Sequence, residues 1–362
     1  MGKTQLKTSL AAALLLAGCG AEGEQGQGDA LARYQFDECA RVALINAASG
    51  EAVRGAEDLA LDLENGRLFI SAYDRRAVEK AARKKRDVLP QGGVYAVALE
   101  TLFDPETEEV TVSSLADPKD FTGGLRPHGL SYDEKNHELV FINRTYERQG
   151  RRWRMVPHLQ RIGANGEMFV GAPSPAHCAA NDVAVGDAGV VTTFDHASCG
   201  FGGGVETLFS LKRSGLADEN GPLFSKAVFA NGVARMQDGE IALAATREGA
   251  VLLLAPSEEG FSERARLTMP GYPDNVTVST EGEIVAALHP SLMKLASARK
   301  LGLGRAPSRI VAADPASGAV SFLFDDPSGE MFSAATVAVE TGRGMVAGSV
   351  LDEGLLVCQA RI

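Results

Sequence analysis

Residues 181–186 read Asn181-Asp182-Val183-Ala184-Val185-Gly186, two polar residues followed by a short strand of alternating apolar character. The pattern of two small or polar residues before such a strand recurs along the chain. It stands at Glu57-Asp58-Leu59-Ala60-Leu61, His128-Gly129-Leu130-Ser131-Tyr132 and Asn231-Gly232-Val233-Ala234-Arg235. It returns at Asp274-Asn275-Val276-Thr277-Val278 and Ala335-Thr336-Val337-Ala338-Val339. Taking the second residue of each of the six copies, the intervals are 71, 53, 50, 43 and 61 residues, the size of a propeller blade. Turn signals and second strands follow, as in Glu64-Asn65-Gly66 before Leu68-Phe69-Ile70 and Gln237-Asp238-Gly239 before Ile241-Ala242-Leu243. Such pairs are hairpins. The expected fold is all-β, a six-bladed β-propeller.

The two ends are expected to meet in one blade. Arg41-Val42-Ala43-Leu44-Ile45 is left over at the start, and the strands Gly344–Gly348 and Leu355–Cys358 at the end leave room for one more. Joining them removes the open edges of the ring. Helical periodicity is scarce, confined to Arg75–Arg86 and Ser291–Lys300. Two basic runs, Arg83–Arg86 and Arg144–Arg154, read as solvated loops, and the net charge of −11 argues against a nucleic-acid partner.

The N-terminus reads as an export signal. Lys3 and Lys7 precede an apolar run, Leu10–Leu16, too short to span a membrane. It ends in Leu16-Ala17-Gly18-Cys19, the pattern at which bacterial lipoproteins are cleaved and acylated. Residues 1–18 are therefore expected to be a signal peptide, residues 19–33 a flexible Gly/Glu/Gln-rich tether, and residues 34–362 the propeller. Lipidation of Cys19 would anchor the chain in the cell envelope, at the outer membrane or periplasmic face. Four cysteines remain, Cys39, Cys178, Cys199 and Cys358, and they allow three pairings in an oxidising compartment. Cys39 with Cys358 is favoured because both flank the strands that would close the ring. Cys178 with Cys199 flank neighbouring strands of one blade.

In a propeller the first strand of each blade lines the central channel. The residues opening those strands, Glu57, Asp58, His128, Asn181, Asp182, Asn231, Asp274 and Asn275, would converge at one mouth. An all-oxygen set of carboxylates and amides suits a hard cation, and the neutral amides favour calcium over magnesium.

These motifs resemble the paraoxonase/arylesterase family of calcium-dependent lactonases. The resemblance runs from about Cys39 to Cys358. It is carried by Glu57-Asp58-Leu59, Arg126-Pro127-His128-Gly129-Leu130-Ser131, Asn181–Gly186, Asp195-His196, Ala230-Asn231-Gly232, Pro273-Asp274-Asn275-Val276, His289-Pro290 and the segment Gly348–Cys358. It implies two calcium ions. One, catalytic, would be held by Glu57, Asn181, Asn231, Asp274 and Asn275; one, structural, by Asp58, Asp182 and the main-chain carbonyl of Leu130. It also implies the disulfide from Cys39 to Cys358. Calcium would polarise a lactone or ester carbonyl while His128 activates water as general base. The family pairs that histidine with a second, and Arg144 stands at the matching position here, where it cannot shuttle a proton. Glu57 or Asp274 is then the alternative base. His196, His289 and Arg144 are candidates for substrate contact. Two other readings compete: a gluconolactonase-type hydrolase with one divalent ion, and a non-catalytic, calcium-stabilised propeller that binds an envelope partner.

Overall fold

The computed structural model describes residues 31–167, 174–175 and 177–361. They form six sheets arranged as blades. The inner strands are Ala56–Asp62, Pro127–Asp133, Ala180–Gly186, Ala230–Arg235, Tyr272–Val278 and Ala335–Thr341, the six repeats of the sequence. In each blade the chain then runs outward by antiparallel pairing. The alternation of the repeats explains the packing. Successive side chains point to opposite faces, and each face of an inner strand lies against a neighbouring blade. Between blades 4 and 5, for example, Ala242, Ala244, Val251 and Leu253 meet Val276, Ile284, Ala286 and Leu288. Each fully buried Leu, Ile or Val contributes roughly 1.5–3 kcal/mol.

Blade 6 closes the ring. Its inner strands Ala335–Thr341, Gly344–Ser349 and Leu355–Gln359 are completed by Cys39–Asn46 from the other end of the chain. Cys39 lies directly opposite Cys358 in the register, with Cα atoms 4.0 Å apart, and the two are disulfide-bonded. The segment Glu109–Val112, which follows blade 1, adds in parallel to Ala43–Asn46, so blade 1 keeps three strands and its chain buttresses blade 6. The second disulfide, Cys178–Cys199, joins the entry to Ala180–Gly186 and the exit from Gly189–Phe194. Ordered pairing reaches back to the end of the expected tether: the Arg33 and Tyr34 N–H groups donate to Phe322 and Leu323 in blade 5. Cys19 and the expected signal peptide lie outside the described residues.

Three features depart from expectation. The run Arg144–Arg154 is not a loop but the end of a long hairpin, Glu138–Gln149 with Arg152–Gly163, and Arg144 is buried. A helix at Phe201–Leu208 has no helical periodicity to announce it, because three of the four residues of its first turn are glycine. The expected helix at 291–300 splits into Leu292–Ala296 and a wider turn, Ser297–Leu301. Arg75–Arg83, Phe201–Leu208 and Leu292–Ala296 all lie between the second and third strands of their blades. Two antiparallel strands bring the chain back to the end where the inner strand began. These helices therefore lie at the mouth where the repeat dipeptides sit.

Because the Cys39–Cys358 bond spans nearly the whole chain, removing it frees the unfolded state more than it changes the folded one. The double variant C39S/C358S is expected to lose about 2–5 kcal/mol. Denaturant unfolding under oxidising conditions checks this, with Cys178–Cys199 intact as the internal control.

Candidate active site at the channel mouth

Every inner strand carries a register irregularity at its repeat dipeptide. It falls between Ala56 and Asp58, Pro127 and Leu130, Ala180 and Val183, Ala230 and Val233, Pro273 and Val276, and Ala335 and Val337. A bulge leaves one residue unpaired and re-aims its side chain. Here the re-aimed residues are the polar ones. Space is tight where the strands converge. A Cβ on Gly129 would come within 2.4 Å of Asp182, and one on Gly232 within 2.4 Å of the Asn275 Cα. Glycine in blades 2 and 4 thus admits the larger Asp182 and Asn275 of blades 3 and 5.

Two tiers result. In the deeper tier, Asp58 accepts the Leu59 and Leu130 N–H groups at 2.9 and 2.6 Å. Asp182 accepts those of Val183 and Val233, both at 2.7 Å. Each carboxylate therefore ties its own blade to the next. Leu130 meets Asp58 through its N–H. Burial raises both carboxyls, and repulsion from Asp182 lifts Asp58 further; Asp182 is pushed up to about 7.

The upper tier opens into a cavity of about 180 Å³. Glu57, Asn181, Asn231, Asp274 and His289 line it. The Asp274 carboxylate takes His289 Nε2 at 2.7 Å and the Asn231 amide. Asn181 donates to Asp195 at 2.7 Å, and Asp195 is raised by its burial. The Glu57 main-chain carbonyl accepts Asn275 Nδ2 at 2.9 Å and Thr336 Oγ1 at 3.0 Å, which turns the Asn275 amide toward the strand. Glu57 Oε1 pairs with Arg75 at 3.1 Å, whereas its buried Oε2 has no hydrogen-bond partner. Burial alone would raise this carboxyl, but His128, Arg75 and Arg144 together hold it well below the usual range.

His128 sits behind Glu57 and does not line the cavity. Its Nδ1 lies 3.1 Å from Glu57 Oε2 but is not aligned for a hydrogen bond, and both ring nitrogens are unpartnered. Burial, then Arg144, pushes it down to about 4, against the pull of Glu57. His128 is therefore neutral at neutral pH, and the charge of Glu57 rests on Arg75 and Arg144. His196 packs under the helix Phe201–Leu208, against Gly203, rather than on the cavity wall.

The repeat reading missed half the wall. Arg75, Asp195, Thr246, Arg247, His289 and Val350 all lie at or just beyond the ends of second strands. That position recurs once per blade and is as periodic as the dipeptides, but its residue types differ from blade to blade. Among the described residues no three His, Cys, Asp or Glu side chains form a metal-holding group. The oxygen set becomes large enough for a cation only with the amides of Asn181 and Asn231. The orphaned Glu57 Oε2 and an all-oxygen donor set are what a hard cation requires.

The fold and the site together define a six-bladed propeller with a polar, oxygen-lined cavity at one mouth. No protein-family profile matches the chain, and no curated protein matches it. Solved structures do. A gluconolactonase from Xanthomonas campestris is 15% identical, the match covering 86% of this chain and 88% of that one, with a TM-score of 0.49. A second structure, described provisionally as a gluconolactonase, is 14% identical over 89% of this chain and 92% of that one, with a TM-score of 0.51. A PQQ-bound aldose sugar dehydrogenase from Streptomyces coelicolor is 12% identical over 85% and 96%, with a TM-score of 0.47. At 14% identity what the second of these shares with the chain is the fold.

The deeper carboxyls make stability depend on pH when no cation neutralises them. Their folded pKa values lie above the unfolded value of about 4. The stability they contribute is full below that value and is lost as pH rises through about 7. In buffer stripped of divalent cations the melting temperature is expected to fall between pH 5 and pH 8, and D182N to flatten that fall. Scanning calorimetry at the two pH values checks it.

Proposed function

We propose that this protein hydrolyses lactones, and related esters, at the cavity in a reaction that needs calcium. One observation carries the reading. Oxygen donors from four blades, including a buried Glu57 oxygen with no donor, meet at one cavity that His289 also lines. The motif resemblance to the paraoxonase/arylesterase lactonases supports this reading, and so does a fold shared with a protein described as a gluconolactonase.

Glu57, Asn181, Asn231 and Asp274 would hold the catalytic calcium, and Asp58 and Asp182, with the carbonyl of Leu130, a structural one. When bound, the catalytic ion would supply positive charge for the substrate carbonyl oxygen. The chain's own residues do the rest. Asp274 accepts from His289 Nε2, which fixes the ring at the cavity wall and leaves the carboxylates of Asp274 and Glu57 as the acceptors for a proton from water. This is the geometry of a histidine oriented by a carboxylate. Asp195, its carboxyl raised by burial, is placed to hold a proton beside Asn181. His128 serves as a positioning residue: neutral and packed edge-on against Tyr73, it backs Glu57. Water adds across the acyl C–O bond, and the product is a hydroxy acid. The two internal disulfides suit the oxidising compartment that lipidation at Cys19 implies.

The test is hydrolysis of γ- and δ-lactones and phenyl acetate, with calcium and with chelator. Turnover is expected only with calcium. D274A and H289Q are each expected to lose about 10²-fold or more in kcat, and H128Q less than about tenfold. Calcium binding that raises the melting temperature without any turnover would identify a calcium-stabilised binding module and end the hydrolase reading.

A further inference from the structure

We propose that the substrate carries an anionic group of its own, a carboxylate above all, seated on Arg247 and Arg299 at the cavity mouth. The inference rests on the hydrolase reading and narrows its substrate class.

Three guanidinium groups from three blades line the cavity: Arg75, Arg247 and Arg299. Only Arg75 is matched, by Glu57 and Glu79. Among the described residues Arg247 and Arg299 form no ion pair. The acids of the wall are already committed: Glu57 to Arg75, Asp274 to His289, and Asp195 to Asn181. Arg144, 4% exposed behind Glu57, adds a further cation with an unpartnered Nε and only the Tyr73 hydroxyl, at 3.5 Å, beside it. The lining thus carries three arginines against three carboxylates, but the carboxylates are engaged elsewhere while Arg247 and Arg299 are not, and a bound dication would make the site positive. Arg299 is also close enough to Arg75 to be destabilised by it as a cation, a repulsion that an anion between them would relieve.

The position of the two free arginines suits this role. Arg247 stands on the turn after Ile241–Ala245, and Arg299 on the wide turn after Leu292–Ala296. Both belong to the rim, above the oxygen donors, and apolar wall is supplied by Leu292, Leu295 and Phe229. A lactone ring could lie on that wall with its carbonyl toward Glu57 and Asp274 while an attached carboxylate meets the forked guanidinium donors, a match in shape and charge. Arg247 is exposed and Arg299 half-buried, so with a neutral lactone both guanidinium groups would pair with solvent alone.

The probe is a matched pair, γ-butyrolactone and its γ-carboxylate derivative, assayed with the calcium-loaded protein. The carboxylate is expected to be preferred by about tenfold or more in kcat/KM, through KM, with the preference falling as salt rises. R247Q and R299Q are expected to reduce the preference, and R299K to retain part of it. A second readout is calorimetric binding of 2-hydroxyglutarate, the product of the charged lactone, expected to weaken about tenfold or more in R247Q/R299Q. Equal kcat/KM for the two lactones, both calcium-dependent, would overturn the anion site and leave the hydrolase reading standing. Arginine-dependent binding of 2-hydroxyglutarate without hydrolysis of either lactone would uphold the anion site and remove the hydrolase reading. Binding that is unchanged in R247Q/R299Q would overturn the anion site.

Discussion

The bulge that heads each inner strand is the constraint on which the rest of this structure depends. Inner strands of a small propeller are buried on both faces, so their polar residues have no place in the ladder itself. Breaking the register at the dipeptide turns those residues into the channel, and the break recurs in all six blades. Crowding at the axis then decides which residues can be large. Gly129 and Gly232 lie against Asp182 and Asn275 because a side chain at either position would occupy the same space.

The electrostatics follow from that geometry. Two carboxyls are brought together in the deeper tier, where burial, with repulsion from Asp182 on Asp58 and from Asp274 on Asp182, favours the protonated form over the opposing pull of their main-chain N–H donors. One tier above, Glu57 is equally buried yet stays ionised, because Arg75 and Arg144 stand beside it. Burial, with help from the same arginines, keeps His128 neutral. The contrast is set by neighbours rather than by residue type: acids of one chemical class, a few residues apart in sequence, sit on opposite sides of the usual carboxylate range.

The fold was largely legible in the sequence. Strand alternation has a period of two, blade spacing a period near fifty, and both survive without tertiary information. The closing strand and the Cys39–Cys358 disulfide were legible for a related reason, since a left-over strand at each end of a ring has only one partner, and Cys178–Cys199 because the two flank neighbouring strands of one blade. The helix Phe201–Leu208 was not legible, because its glycines carry no apolar face. Nor was the course of Arg144–Arg154, whose charge reads as a loop although the hairpin runs through it.

By itself the sequence determined six blades and the residues that open them, because local patterning dictates strand faces and turns. It also placed Glu57, Asn181, Asn231 and Asp274 at one mouth, since each begins an inner strand. Only the tertiary structure decided that His289 and not His128 faces the cavity, and that Asp195, Arg247 and Arg299 complete its wall. Those residues lie at or beyond the ends of second strands, where loop paths set orientation. A side chain's access to a cavity depends on which neighbouring blade covers it, and no local pattern in the chain encodes that.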